Sequence, residues 1–336
     1  MKNRLGIIIL NYNGAEDTIE CIDSLKKAEC IDIADIFVLD NGSKTENIRF
    51  LRDNLSYEKT GFKEVLLDDF NDEFITNSNE KYFLIISAVN YGFAGGNNAI
   101  MEVVNSFYDY ILLLNNDTVV TSDFISNMLQ MFELNKNIGF GSCRINNYYD
   151  KELLWNCGGV IQPWGLRKYY NEKKLSLNNT YIRASFITGC ALFIKTSVLT
   201  KYGLLTNQFF FGEEDFNFCW RMKKNGILGM CHTKPMVYHK VSKSSEKVGK
   251  KPGKLAGYYL VRIVDMKQFY RNIVWKIWKK ALISVLCLHW LFMRIDIVTI
   301  KRMVQIINHF SKNELITKED IFLVWDLKIN NEGEIK

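Results

Sequence analysis

Short apolar runs alternate with amphipathic stretches through the first 140 residues. Gly6–Leu10 is an unbroken apolar run closed by Asn13-Gly14, the form of a strand buried on both faces. Thr18–Lys27 sets Ile19, Ile22 and Leu25 at helical spacing. Ile36–Leu39, Phe83–Ser87 and Tyr110–Leu114 read as further strands, with helices from about Gly96 to Phe107 and over Ser122–Leu134. Residues 56–80 are polar, and within them Lys63–Leu67 reads as one short strand. This alternation predicts a parallel sheet with right-handed crossovers. The second half is less regular: Phe186–Ile194 and Leu228–Tyr238 read as strands and Glu213–Lys224 as a helix. Polar residues gather directly after three strands, at Asn11 and Asn13, at Asp40 to Ser43 and at Asn115 to Asp117. Open α/β sheets bind ligands at the carboxyl ends of their strands, so a site is expected there.

Composition narrows the class. The chain has 336 residues, 48% hydrophobic and 24% charged, with only 3 Pro, which excludes a disordered or low-complexity protein. Charge is uneven. Residues 1–239 carry a net −4, residues 240–280 a net +10, and the remainder balances. The basic block Lys240–Lys280 has Tyr258, Tyr259, Trp275 and Trp278 among its lysines, which suits either nucleic acid or an anionic membrane. Ala281–Ile300 is largely apolar but broken by His289, Arg294 and Asp296, and so reads as an interfacial or core-packed helix rather than a span. The eight cysteines show no C-x-x-C pair, which argues against a zinc knuckle; they are spread through a chain too large to need staples, several within apolar runs, which points to a reducing compartment, the cytosol. Leu5 to Leu10 is too short for a signal-peptide core.

Four segments could carry chemistry. Asp117, at the end of an apolar strand, suits Mg²⁺ or Mn²⁺ on a diphosphate, or equally the start of a helix. Asn90–Asn98 places glycines ahead of a helix, where amides can approach phosphate, although G-x-G-x-x-G is absent. Phe209–Asp215 sets three aromatics before three carboxylates, a pattern for a general base or an acidic helix start. His239 ends a strand and could be a metal ligand or a structural histidine.

Taken in order, IIILNYNG (7–14), VLDNGS (38–43), NYGFAGGNN (90–98), LLLNNDT (112–118), FITGC (186–190), FFFGEEDFNFCWR (209–221) and VYH (237–239) resemble the family 2 inverting glycosyltransferases, in particular their rhamnosyltransferase-like branch. The resemblance implies a GT-A fold: a mostly parallel Rossmann-like sheet flanked by helices over 1–240, with a nucleotide-binding half (1–120) and an acceptor-binding half (121–240). Residues 241–336 would form a basic, amphipathic helical extension. It implies that Leu10, Asn11, Tyr12, Asn13 and Asp40 hold base and ribose, together with Asn41 and Ser43. The loop Asn90, Gly92, Phe93, Gly96 and Asn97 would border the donor, as would Asn116, Gly189 and Cys190. Asp117 would bind the metal, with Asn115 standing where the family has its first acid, and His239 would complete the site. Asp215 would be the base and Glu214 its neighbour, with Asn217 replacing a later acid of that motif. The reaction implied is single displacement from dTDP-rhamnose or a UDP-sugar onto a hydroxyl of a growing, lipid-linked surface glycan. It would run on the cytoplasmic side, at the inner face of the membrane. The C-terminal helices could equally pair two copies. The competing reading is a nucleic-acid or membrane binding module built on the basic block, without catalysis, which the acidic first 239 residues make a poor description of the whole chain.

Overall fold

The computed structural model describes residues 4–175, 179–241 and 251–327. Lys243, Lys247 and Lys250 of the basic block lie outside the described residues. Two compact units are present. The first holds residues up to 162, 166–205 and 215–241; the second holds 163–165, 206–214 and the described residues after 241.

The first unit is built on strands β1 (Leu5–Asn11), β2 (Ala34–Asn41), β3 (Phe62–Leu66), β4 (Tyr82–Ser87), β5 (Tyr110–Asn115), β6 (Thr118–Val120), β7 (Ile138–Asn147), β8 (Leu154–Asn156), β9 (Gly159–Ile161), β10 (Arg167–Tyr169), β11 (Tyr181–Ala184), β12 (Ala191–Lys195) and β13 (Leu228–His239). Among the described residues eleven of these form one sheet in the order β11-β13-β7-β12-β5-β1-β2-β4-β3, with β6 added to β13 and β8 to β7; β9 and β10 form a separate hairpin. From β3 to β5 every pair is parallel, as the alternation predicts. Beyond β5 the sheet is mixed: β12 runs antiparallel to both β5 and β7, while β13 and β7 are parallel.

The central strands are buried on both faces, which is why they read as unbroken apolar runs. Ile7, Ile9, Val38 and Leu112 pack in a cluster with Cys21, Ile22 and Leu25 of the helix Ala15–Leu25. Fully burying each such side chain contributes about 1.5–3 kcal/mol. Two boundaries differ from expectation. The helix expected from Gly96 begins at Gly92, so the glycine-rich loop is its first turn. A Cβ on Gly96 would come within 2.6 Å of Leu10 Cδ1 and 3.2 Å of Asn41 Nδ2, so its absence lets this helix lie on the ends of β1 and β2 without displacing those side chains. The strand expected from Phe186 begins at Ala191, because Ser185 and Phe186 are drawn aside to pair with β9 at Gly159.

The second unit is helical: Pro252–Met266, Asn272–Phe292, Ile297–Phe310 and Lys318–Trp325. Its core gathers Leu260, Val264, Trp290, Met303, Ile307 and Phe310, all buried. Phe209 is buried within it through the pairing of 208–210 with Ile316, and Phe210 lies under the Lys318 ammonium.

Candidate active site

The carboxyl ends of β1, β2 and β5 stand in register: Asn11 opposite Asp40, and Leu10 opposite Asn115. The polar residues that follow these strands therefore meet. Asn11, fully buried, donates to Asp40 Oδ2 at 2.7 Å and to Ser43 Oγ at 3.3 Å. Its Oδ1 accepts from Gly14 N–H (3.2 Å) and from Thr18 Oγ1 (2.9 Å). Asp40 Oδ1 accepts from Ser43 N–H at 3.0 Å. Asn116 turns inward and donates to Thr18 Oγ1 (3.0 Å) and Gly14 O (3.2 Å). Asn13, at positive φ, accepts from Lys44 N–H through its side chain, while Tyr12 is exposed. Buried polar atoms must be paired, and this network fixes the loop after β1. Thr18 joins it from one helical turn away; sequence reading missed it, its only signal being a polar residue on the apolar face of its helix.

A second group orders the glycine-rich loop. Asn41 Nδ2 donates to Asn90 Oδ1 (3.2 Å) and Gly92 O (3.0 Å), and its Oδ1 accepts from Tyr91 N–H at 3.0 Å. Asn97 donates back to Phe93 O at 2.8 Å. The Phe93 ring then reaches Gly189, where a Cβ would lie 3.0 Å from it. Gly189 N–H donates to Asp215 Oδ2 at 3.1 Å. The glycine-rich loop, the segment 186–190 and Asp215 are thus in contact, although they are far apart in sequence.

The third group is Asp117 and His239. β6 pairs antiparallel with β13, placing His239 opposite Thr118 and beside Asp117. His239 Nε2 lies 3.0 Å from Asp117 Oδ1, and Lys240 N–H donates to Asp117 O at 2.9 Å. The Trp155 ring meets the imidazole edge-on at 4.3 Å, a neighbour the sequence did not announce. Lys240 itself is engaged by Asp17 and Glu20. Burial works against its charge, but these two carboxylates hold the ammonium well above its ordinary range.

Residues of this pair fit a divalent cation. Two ligands of one small cation lie about 3 Å apart when bonds are 2.0–2.1 Å, as Asp117 Oδ1 and His239 Nε2 do. With no cation bound, His239 Nε2–H is placed to donate to Asp117 Oδ1; a cation on Nε2 would require the proton to move to Nδ1, which is buried without a partner. Among the described residues no group of three or more His, Cys, Asp or Glu could hold a metal. The pair therefore suits a cation whose other ligands are water and a phosphate-bearing molecule.

Cys190 ties the groups together. Its carbonyl accepts from Asn115 N–H at 2.9 Å. Burial pushes its thiol well above the ordinary value, and the carboxylates of Asp117 and Asp215 push the same way. Both acids thus sit within electrostatic reach of one buried residue. Glu214 belongs to the second unit, where it accepts from Gly212 N–H at 2.8 Å. Asn217, 1% exposed, accepts from Arg221 Nε at 3.0 Å and serves to hold that guanidinium against the carbonyls of Tyr202 to Leu204. A cavity of about 370 Å³ beside Asn13 is rimmed by Glu16, Asp17 and Glu46, a poor setting for a diphosphate.

The family model described as glycosyl transferase family 2 matches residues 6–203, more than half of the chain. The chain belongs to glycosyl transferase family 2. The mixed sheet flanked by helices in this family 2 chain is the GT-A fold. The mannosyltransferase PcManGT from Pyrobaculum calidifontis, solved with GDP-Man and Mn²⁺, is 13% identical, with a TM-score of 0.53 over 81% of this chain and 66% of its own. GalNAc-T7, solved with UDP, GalNAc and Mn²⁺, is 16% identical, with a TM-score of 0.51 over 70% of this chain and 43% of its own. The family 2 chain thus spans less than two thirds of either relative, and the likeness is one of fold. No curated protein matches it.

Proposed function

We propose that this chain is an inverting, metal-dependent glycosyltransferase that takes a sugar from a nucleotide-diphosphate donor. Family membership supports the reaction class. The observation that carries the residue roles is the chain of hydrogen bonds between the two acids: Gly189 N–H donates to Asp215 Oδ2 at 3.1 Å, and the next residue, Cys190, accepts through its carbonyl from Asn115 N–H at 2.9 Å, two residues before Asp117. The chemistry needs two such carboxylates. Glycosyl transfer passes through an oxocarbenium-like transition state while the leaving diphosphate gains charge.

Asp215 is assigned the base. The Gly189 amide holds Oδ2, orienting the carboxylate to accept the acceptor hydroxyl's proton as that oxygen bonds to the anomeric carbon. The bond to the nucleotide diphosphate breaks on the opposite side, which inverts the centre. Asp117 and His239 are assigned to a divalent cation, Mg²⁺ or Mn²⁺, which when bound neutralises diphosphate charge. Asn11, Asp40, Asn41 and Ser43 shape the nucleotide pocket by bracing the loops that border it, with Leu10, Tyr12 and Asn13. Asn90, Gly92, Phe93, Gly96, Asn97, Asn116, Gly189 and Cys190 form its donor side, and Glu214 neighbours the base. The donors proposed are dTDP-rhamnose or a UDP-sugar, with GDP-mannose added because PcManGT was solved with it. The acceptor proposed is a lipid-linked surface glycan at the inner face of the membrane.

Calorimetric titration of UDP, dTDP and GDP, with and without Mn²⁺, tests the site. Metal-dependent binding of one nucleotide, lost in Asp117→Ala, is expected. Asp215→Asn should lower kcat by about 10²–10⁴-fold while leaving nucleotide affinity unchanged. Loss of that affinity instead would remove Asp215 from the role of base.

A further inference from the structure

The helix Asn272–Phe292 is apolar on both sides, which a helix on a water-soluble unit has no reason to be. One side carries Trp275, Leu286 and Trp290 into the core of its unit. The 3.6-residue period puts Ile273, Ile277, Leu288 and Phe292 together on the other side. All four face solvent, and Phe292 is 86% exposed. Ala281, Ser284 and Val285 complete that side, so it carries no charge along about 30 Å. Ile297 and Val298, also exposed, extend the apolar surface around the following corner. Soluble proteins rarely leave so long an apolar strip uncovered unless it meets a partner.

The charges beside the strip say which partner. Lys276 and Lys280 flank it on the helix, with Arg294, Lys301 and Arg302 around the corner, all exposed. From residue 272 to 303 the sequence has a single carboxylate, Asp296. That group caps the next helix, accepting from Thr299 N–H at 2.9 Å and from Thr299 Oγ1 at 2.6 Å. A second copy docked here would bring the same cations and no further carboxylate to meet them. An anionic bilayer supplies both an apolar interior and the missing negative charge. No helix of the described residues is long and apolar enough to cross a membrane, so contact along one face is the available mode.

We propose that this face is a lipid-docking surface: the helix Asn272–Phe292 lies in the plane of an anionic phospholipid bilayer, with Ile277, Leu288 and Phe292 in the acyl boundary and Lys276 and Lys280 among the headgroups. The proposal deepens the membrane part of the reading above and stands independently of the transfer chemistry. The test is flotation of the full chain with vesicles of phosphatidylcholine, alone or mixed with phosphatidylglycerol, at low and high salt. Binding is expected to the mixed vesicles, weakened by salt, and reduced at least tenfold by Leu288→Ser/Phe292→Ser. Lys276→Glu/Lys280→Glu should remove the preference for phosphatidylglycerol. These positions are exposed, so both variants should melt as the wild type does. Absence of wild-type binding to mixed vesicles at low salt overturns the proposal. So does a wild-type dimer that Leu288→Ser/Phe292→Ser makes monomeric in sedimentation equilibrium, which would assign the face to a second copy. Nucleotide titration of the same variants separates the two readings. Intact nucleotide binding with lost flotation confines the effect to docking, whereas wild-type flotation without nucleotide binding would refute the donor site alone.

Discussion

Gly189 does two things that no other residue could do together. Its amide holds Asp215 Oδ2, and its missing side chain leaves room for the Phe93 ring, which a Cβ would approach to 3.0 Å. Gly189→Ala is expected to leave the melting temperature within a few degrees of wild type and to cut kcat about tenfold, with a smaller effect on nucleotide affinity. Steady-state kinetics beside thermal melts would show it; equal losses in both would make the position merely structural. Arg167 acts at one remove. Its guanidinium lies over the rings of Phe186 (5.0 Å) and Phe216 (4.5 Å), and Phe216 follows Asp215 in the chain. A cation over a buried ring is worth about 0.5–2 kcal/mol. Arg167→Met should lower kcat more than it raises KM, and Arg167→Lys should restore part of the loss.

At the scale of elements, the strand ends explain most of the site and β13 explains the rest. β13 delivers His239 at its end and carries His232 in its middle, opposite Tyr181 of β11. His232 is buried, and its Nδ1 accepts from Lys234 N–H at 3.0 Å, which requires that nitrogen to be unprotonated. Burial, and then the Lys234 charge, depress its pKa below 6.5. The unfolded chain therefore takes up a proton at higher pH than the folded one. The stability tied to the neutral ring is fully present above pH 6.5 and is lost progressively as pH falls below that value towards the lower pKa of the folded state. Urea unfolding at about pH 7.5 and about pH 5.5 should show this loss, and His232→Asn, whose amide oxygen can accept from Lys234, should flatten the slope.

At the scale of the whole molecule, all eight cysteines are reduced, and six of them are buried. Burial pushes the Cys21 thiol up to about 12 and raises Cys143 and Cys190 too. Thiolate is the reactive form, so maleimide should label exposed Cys30 first, half-buried Cys287 more slowly, and the other six only after unfolding; mass spectrometry of the native and denatured chain reads this directly. Much of the molecule was legible beforehand. Buried parallel strands must be continuous apolar runs, so β1, β2, β4 and β5 announced themselves, and the polar residues after them marked the candidate site at the carboxyl ends of the strands. Local periodicity also gave the helix that carries Asp215. It could not give the antiparallel insertion of β12 between β5 and β7, nor the bend that takes residues 185–190 out of that strand, because both depend on partners distant in sequence. The same holds for the site. The residue types came from the chain itself, where Asp117, Asp215 and His239 each follow an interpretable run. Their meeting did not: Asp117 and His239 are 122 residues apart, and β6 closing on β13 brings them to 3.0 Å. Composition and spacing act through neighbours along the backbone, whereas a site of this kind is made by strand pairing across the sheet, which only the folded chain can set.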